Sequence, residues 1–162
     1  MHETGDRMKL EIVDDALTPE IYIDVRKQVN FKYYNYNDVE IALKNSLYSV
    51  VIFDEGKPIG ISRIVGDGRI VFFIKDVVVI PEYQNLKIGS MLMKRLEQYI
   101  SNTACEGAYI GLMSTPGQTE FYKKFGFIER PTAEFGPGMV KYHKKDEAVK
   151  SAVFRQEEVT KL

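Results

Sequence analysis

Residues 76–100 restrict the fold more than any other stretch of the chain. Val77-Val78-Val79-Ile80 is an unbroken apolar run, which predicts a strand buried on both faces. Pro81 has no N–H to give to a ladder and ends that strand. A polar stretch, residues 82–87, leads to Gly89. From Ile88 the apolar period changes: Ile88, Met91, Leu92, Leu96, Tyr99 and Ile100 share one helical face, with Lys94, Arg95 and Glu97 mostly off it. Strand, tight loop and helix in that order turn several backbone N–H groups and the positive end of a helix toward one point. Such a point is a seat for a phosphate or pyrophosphate.

The rest of the chain supplies a layer around this unit. Residues 8–13 alternate as a first strand. Thr18-Pro19-Glu20 reads as a helix start, with Ile21, Val25 and Val29 as its buried stripe. After the aromatic turn Phe31-Lys32-Tyr33-Tyr34-Asn35-Tyr36, either Asn37 or Asp38 can cap a second short helix that turns Val39, Ala42 and Leu43 inward. Residues 48–53 and 59–65 flank a hairpin turn at 54–58. A long strand follows over 69–80, with a bulge expected near Lys75 or Asp76, where polar residues interrupt the apolar run. Beyond the central helix come a strand at 108–113 and a short helix at 119–125, stopped by Gly126. A final antiparallel pair is expected from 127–130 and 139–143, joined by a loop that holds Gly136-Pro137-Gly138. The order β-α-α-β-β-β-α-β-α-β-β predicts an α/β (α+β) layer with a mixed sheet. It forms one domain over residues 8–143, followed by a charge-rich tail, 144–162, that is either a frayed helix or disordered.

Composition excludes several classes of function. With 162 residues, 44% hydrophobic and 28% charged, the chain has the makeup of one ordinary globular domain. A formal net charge of −1 argues against general binding to nucleic acid or to an anionic membrane. No apolar run approaches the roughly 20 residues that cross a bilayer. The first residues carry no apolar signal segment, and a single cysteine, Cys105, cannot form an internal disulfide, so a cytoplasmic location is expected. His2 and His143 show no metal-ligand spacing, and no metal is expected. Cys105 has no neighbouring histidine to make it a nucleophile. No strand leads into a G-x-x-x-x-G-K-[ST] loop.

Two motifs carry a family resemblance. Val79-Ile80-Pro81-Glu82-Tyr83-Gln84, followed by Lys87-Ile88-Gly89-Ser90, resembles motif A of the GCN5-related N-acetyltransferases, (Arg or Gln)-x-x-Gly-x-(Gly or Ala) after a V-x-P strand end. Gln84 and Gly89 match, while Lys87 stands where the first glycine is usual. Phe121-Tyr122-Lys123-Lys124-Phe125-Gly126-Phe127 resembles the end of that family's motif B, F-Y-x-x-x-G-F. Both occur in the family's order, and the resemblance covers about residues 8–143.

The resemblance implies the acyl-CoA N-acyltransferase fold and acetyl-CoA as cosubstrate. It assigns the pyrophosphate to the loop of Gln84, Asn85, Leu86, Lys87, Ile88, Gly89 and Ser90, held mostly by backbone N–H groups. Lys87 must then take an ordinary dihedral or bear strain, while its ammonium adds attraction. Val77, Val78 and Val79 offer backbone groups to the pantetheine arm where the sheet splays, and their side chains pack as in any buried sheet. Tyr122 corresponds to the general acid that protonates the departing thiolate. A phenol with an ordinary pKa near 10 keeps its proton at neutral pH. Packing is the alternative for Tyr122, as it is the reading for Phe121, Phe125 and Phe127. Thr115 falls where the family often has an asparagine, and the match is poor.

Amide formation also requires the amine to lose a proton. Asp76 is the candidate base, through water, or else a structural aspartate that fixes the bulge; Glu120 is a weaker candidate. Phe31, Tyr33, Tyr34 and Tyr36 lie where the family places its acceptor-binding segment, and the 130–139 segment borders the same side. The acceptor is then a small amine or a protein amine, and a homodimer is compatible with the sequence. The competing reading is a non-catalytic acyl-CoA-binding or regulatory module, to which Lys87 leaves room and against which Tyr122 speaks.

Overall fold

The computed structural model describes residues 7–145; the expectations for His2 and for most of the tail fall outside the described residues. The chain divides after Gln118 into two compact units, Met1–Gln118 and Thr119–Leu162.

In the first unit the elements run β1 (Leu10–Asp14), α1 (Pro19–Gln28), α2 (Tyr36–Lys44), β2 (Tyr48–Asp54), β3 (Lys57–Gly66), β4 (Val71–Val79), a 3-10 turn (Pro81–Tyr83), α3 (Ile88–Thr103) and β5 (Tyr109–Gly111). The sheet has the spatial order β1-β2-β3-β4-β5; its first four strands pair antiparallel and β5 lies parallel to β4. The mixed sheet flanked by helices is the expected α/β class. Glu55 and Gly56 both have positive φ, +48° and +82°, so the β2–β3 hairpin turns with the hand that suits twisted strands.

Local chemistry sets the helix ends. Thr18 accepts a hydrogen bond from the Ile21 N–H and Pro19 opens α1, as the sequence predicts. The buried stripe of α1 is Tyr22, Val25 and Arg26 rather than Ile21, Val25 and Val29. A polar pair thus takes the inward face, and the reason lies in the site described below. Asn35, not Asn37 or Asp38, caps α2 by accepting from the Asp38 N–H, and only Val39 of its expected inward face is buried. In α3 the buried positions are Ile88, Leu92, Met93, Leu96 and Ile100, with Met93 in the place expected of Met91. Gly60 lets α3 approach β3 closely: a Cβ there would sit 3.0 Å from Ile88 Cγ2 and 3.4 Å from Leu92 Cδ1.

β4 departs from burial on both faces. Phe72, Ile74, Asp76 and Val78 are buried, whereas Val77 and Val79 are only half-buried. The apolar run therefore keeps the two-residue alternation of a strand whose two faces are unequally covered.

In the second unit, α4 spans Thr119–Lys123, two residues shorter than expected, and Gly126 follows at φ +86°. Edge-to-face contacts join Phe121 to Tyr122 and Phe125, and Tyr122 to Phe127. The expected final strand pair does not form: neither 127–130 nor 139–143 is strand, and Ile128, Met139 and Val140 are exposed. The segment between them closes locally instead. Thr132 Oγ1 accepts from the N–H groups of Glu134 and Phe135, and Arg130 Nε donates to the Gly136 carbonyl.

Candidate active site

Opposite Ser62 of β3 lie two residues of β4, Asp76 and Val77, because the register runs from Ile61↔Val78 to Arg63↔Lys75. The bulge expected near Lys75 or Asp76 is therefore present. Asp76 takes φ +58°, a left-handed conformation that aspartate tolerates better than most residues. Ser62 Oγ donates to the Lys75 carbonyl at 3.1 Å and supplies a bond at the disrupted ladder.

The Asp76 side chain is buried and fully engaged. Arg26 Nη1 pairs with Oδ1; Arg63 Nε at 3.1 Å and the Tyr22 hydroxyl at 3.0 Å both donate to Oδ2. Both carboxylate oxygens are thus taken up by buried donors from three residues, a setting suited to the structural alternative, an aspartate that fixes the bulge.

Burial pushes the Tyr22 phenol up to about 12, and the Asp76 charge adds to the shift while Arg26 and Arg63 oppose it. The unfolded chain loses this proton near pH 10 and the native chain near 12, so stability is complete below pH 10 and falls as pH climbs between the two. Urea titrations at pH 9 and pH 11 are expected to differ by roughly 1–2 kcal/mol more in the native chain than in Tyr22→Phe.

On its other side, β4 pairs with β5 only at Val71↔Tyr109, Phe72↔Ile110 and Phe73↔Gly111. From Ile74 to Val79 its one strand neighbour among the described residues is β3. This leaves roughly 20 Å of open strand margin at about 3.3 Å per residue. Val77, Val78 and Val79 all lie on it.

The margin leads to the loop before α3. Lys87 takes φ +66° and ψ 14°, the left-handed conformation a glycine would adopt there, and Asn85 is also positive at +64°. The sequence left Lys87 a choice between ordinary geometry and strain, and it takes the strained one, at about 1–2 kcal/mol. No side chain among the described residues caps α3, so the first-turn N–H groups of Ile88, Gly89 and Ser90 have no side-chain acceptor. The Gln84 side chain donates to the Val79 carbonyl at 3.0 Å and ties the loop to the end of β4; Leu86 is exposed. Because a glycine relieves the positive φ but gains backbone entropy on unfolding, Lys87→Gly is expected to change stability by between zero and about +1 kcal/mol in thermal melts.

The aromatic turn meets the same strand. The Arg26 guanidinium lies over the rings of Tyr22 (5.0 Å), Phe31 (5.3 Å) and Tyr34 (5.7 Å), so Phe31 and Tyr34 enclose a cation supplied by the chain itself. Tyr33 is 71% exposed, and the Tyr36 hydroxyl donates to Glu20. In the second unit, Tyr122 is half-buried and its hydroxyl makes no hydrogen bond among the described residues; burial raises its pKa above the usual phenol value. Glu120 pairs with Lys123, His143 is exposed, and no cluster of metal-ligating side chains occurs among the described residues. No described helix is long and apolar enough to cross a membrane.

Sequence reading missed Arg26, Arg63 and Tyr22. Signals existed: Arg63 interrupts an apolar strand, and Arg26 follows Tyr22 by one helical turn on the inward side. Two cations on inward positions, with one acid inside an apolar run elsewhere, is the pattern of a buried ion cluster.

Residues 11–127 match the model of the acetyltransferase (GNAT) family. A protein of Pyropia yezoensis named uncharacterized N-acetyltransferase ycf52 is 34% identical over 97 residues, 57% of this chain and 55% of that protein. The chloroplastic GCN5-related N-acetyltransferase 1 of Arabidopsis thaliana is 33% identical over 96 residues, 57% of this chain and 47% of that one. The chain thus spans about half the length of the curated relatives it matches. Among solved structures, a probable acetyltransferase of meticillin-resistant Staphylococcus aureus superposes with a TM-score of 0.74 at 31% identity, over 82% of this chain and 99% of that one.

Proposed function

Because the chain belongs to the acetyltransferase (GNAT) family, we propose that it moves the acetyl group of acetyl-CoA to a primary amine. One observation carries this reading: the open margin of β4 from Ile74 to Val79 is followed, after a short turn and loop, by the uncapped N-terminus of α3. A pantetheine arm can lie along the margin as an added strand while the pyrophosphate takes the N–H groups of residues 85–90. The acyl end then points back toward the bulge at Asp76.

In this mechanism the amine nitrogen attacks the thioester carbonyl carbon and a backbone N–H of the margin stabilises the oxyanion. The C–S bond breaks and Tyr122 Oη gives its proton to the thiolate sulfur. The amine's own proton passes to water, and solvent restores the phenol. Asp76 contributes by shaping the strand. The acceptor class is a small amine or a protein amine.

Calorimetry with acetyl-CoA, then thiol release with tryptamine, spermidine, glucosamine and an N-terminal alanine peptide, tests the reading. Binding together with turnover on one amine supports it; absence of binding removes it. Binding without turnover on any amine would favour the non-catalytic module, whose motive was Lys87. Lys87 takes the conformation of the glycine it replaces, which supports the enzymatic reading. Lys87→Glu is expected to raise the Kd for acetyl-CoA about tenfold, the effect of roughly 1.4 kcal/mol of lost attraction; an unchanged Kd removes the lysine from the phosphate site.

A further inference from the structure

We propose that Tyr83 is the positioning residue of the donor loop: its hydrogen bond to Asp54 braces residues 84–87 against the β2–β3 hairpin, in the backbone conformation that presents their N–H groups to a pyrophosphate. The inference rests on the acetyl-CoA reading above and names what holds that site in shape.

Residues 84–87 are all exposed, so the packing of their own side chains does not fix them. Asn85 and Lys87 nevertheless take positive φ, +64° and +66°. A conformation that lysine rarely adopts persists only where the surrounding structure holds it. The holds stand at either end of the loop. At its front, the Tyr83 hydroxyl donates to Asp54 Oδ2 at 2.6 Å. Among the described residues this is the one hydrogen bond from 81–87 to a strand other than β4. Asp54 ends β2 and is itself fixed, because its Oδ1 accepts from the Lys9 N–H at 2.9 Å. The Lys57 ammonium, from the first residue of β3, lies 5.9 Å from the centre of the Tyr83 ring. At the back, Ile88 is buried against Gly60 of β3. The two anchors thus belong to the two arms of one hairpin, and the exposed loop is strung between them. Bonds inside the turn, from the Tyr83 N–H to the Ile80 carbonyl and from the Gln84 N–H to the Pro81 carbonyl, set its curvature but not its place on the sheet. A hydrogen bond to a carboxylate is among the stronger kinds, and it suits a brace at a half-buried position. Without the phenol oxygen the front anchor is lost, and a bound pyrophosphate must then order the loop at the expense of its own affinity.

Calorimetry with acetyl-CoA on the full native chain, Tyr83→Phe, Asp54→Ala and the double variant tests the brace, beside hydrogen exchange without ligand. Tyr83→Phe keeps the ring and removes one oxygen. It is expected to raise the Kd about fivefold, the scale of one hydrogen bond. Ligand-free exchange is expected to quicken at 83–91, where the N–H groups of Tyr83, Gln84 and Met91 are bonded, and to stay as it was in β2 and β3. Asp54→Ala should raise the Kd by the same factor and the double variant by no more than either, since all three remove one brace. Asp54→Asn keeps an acceptor for the phenol and is expected to hold the Kd within about twofold of the native value; should Asp54→Ala fail to fold, this variant and Tyr83→Phe decide. A tyrosine that served stability alone would lower the melting temperature and leave the Kd of the folded protein where it was. A Kd within about twofold of native in Tyr83→Phe, unchanged exchange at 83–91, or losses that multiply in the double variant overturns the brace alone. A native chain that binds no acetyl-CoA overturns the acetyl-CoA reading, while the ligand-free exchange still decides whether Tyr83 holds the loop.

Discussion

Tyr122→Phe is expected to lower kcat by about 10²- to 10³-fold while the Kd for acetyl-CoA stays within about twofold, the size and signature of a lost general acid. Deleting one oxygen from a half-buried ring leaves its contacts with Phe121 and Phe127 in place, so the fold should not change. The hydroxyl has no hydrogen-bond partner among the described residues and is free to donate. Burial raises its pKa, and the sign of that shift matters. The acid form of a phenol is the neutral form, so disfavouring the phenolate retains the proton as pH rises. The alkaline limb of kcat that belongs to this group should lie above pH 10, and it should be absent from the Phe variant. A kcat equal to that of the native chain would reject the role and leave Tyr122 as packing.

Asp76→Asn is expected to cost about 3–5 kcal/mol of stability. Asparagine tolerates the left-handed φ of +58° as well as aspartate does, so the substitution isolates charge from backbone geometry. What is lost is the counter-charge of Arg26 and Arg63, which both remain buried. At roughly 2–4 °C per kcal/mol for a chain of this size, the melting temperature should fall by about 10 °C or more. Removing the charges together, as Asp76→Asn with Arg26→Met and Arg63→Met, should recover much of the loss, because no unpaired charge then remains and the residue at φ +58° still tolerates that conformation. A base gives the opposite pattern in the single variant: kcat falls and the melting temperature holds. That result would place Asp76 in the chemistry.

Several elements could be read from the chain because the forces that make them are local. Thr18 and Pro19 start α1 by capping and by a fixed φ, Glu55-Gly56 turns the hairpin, and the change of apolar period at Ile88 begins α3. The bulge was legible as well, since a charged residue inside an apolar run must leave the ladder's regular pattern or find partners. The final strand pair was misread: 127–130 and 139–143 have strand composition, but pairing depends on whether two separated segments come into register, which composition does not fix.

By itself, then, the sequence determined the strand, loop and helix of residues 76–100, the glycine-like turn at Lys87 as a question, and the family through two motifs in order. Tertiary structure alone decided that β5 stops beside Phe73, which opens the margin of β4, and that Asp76 is met by Arg26 and Arg63 from two other elements. The difference is physical. Propensity, capping and period act over a few residues and leave their mark in the order of the chain. The desolvation of a charge and the absence of a neighbouring strand are properties of positions far apart in sequence, fixed only when the chain has packed.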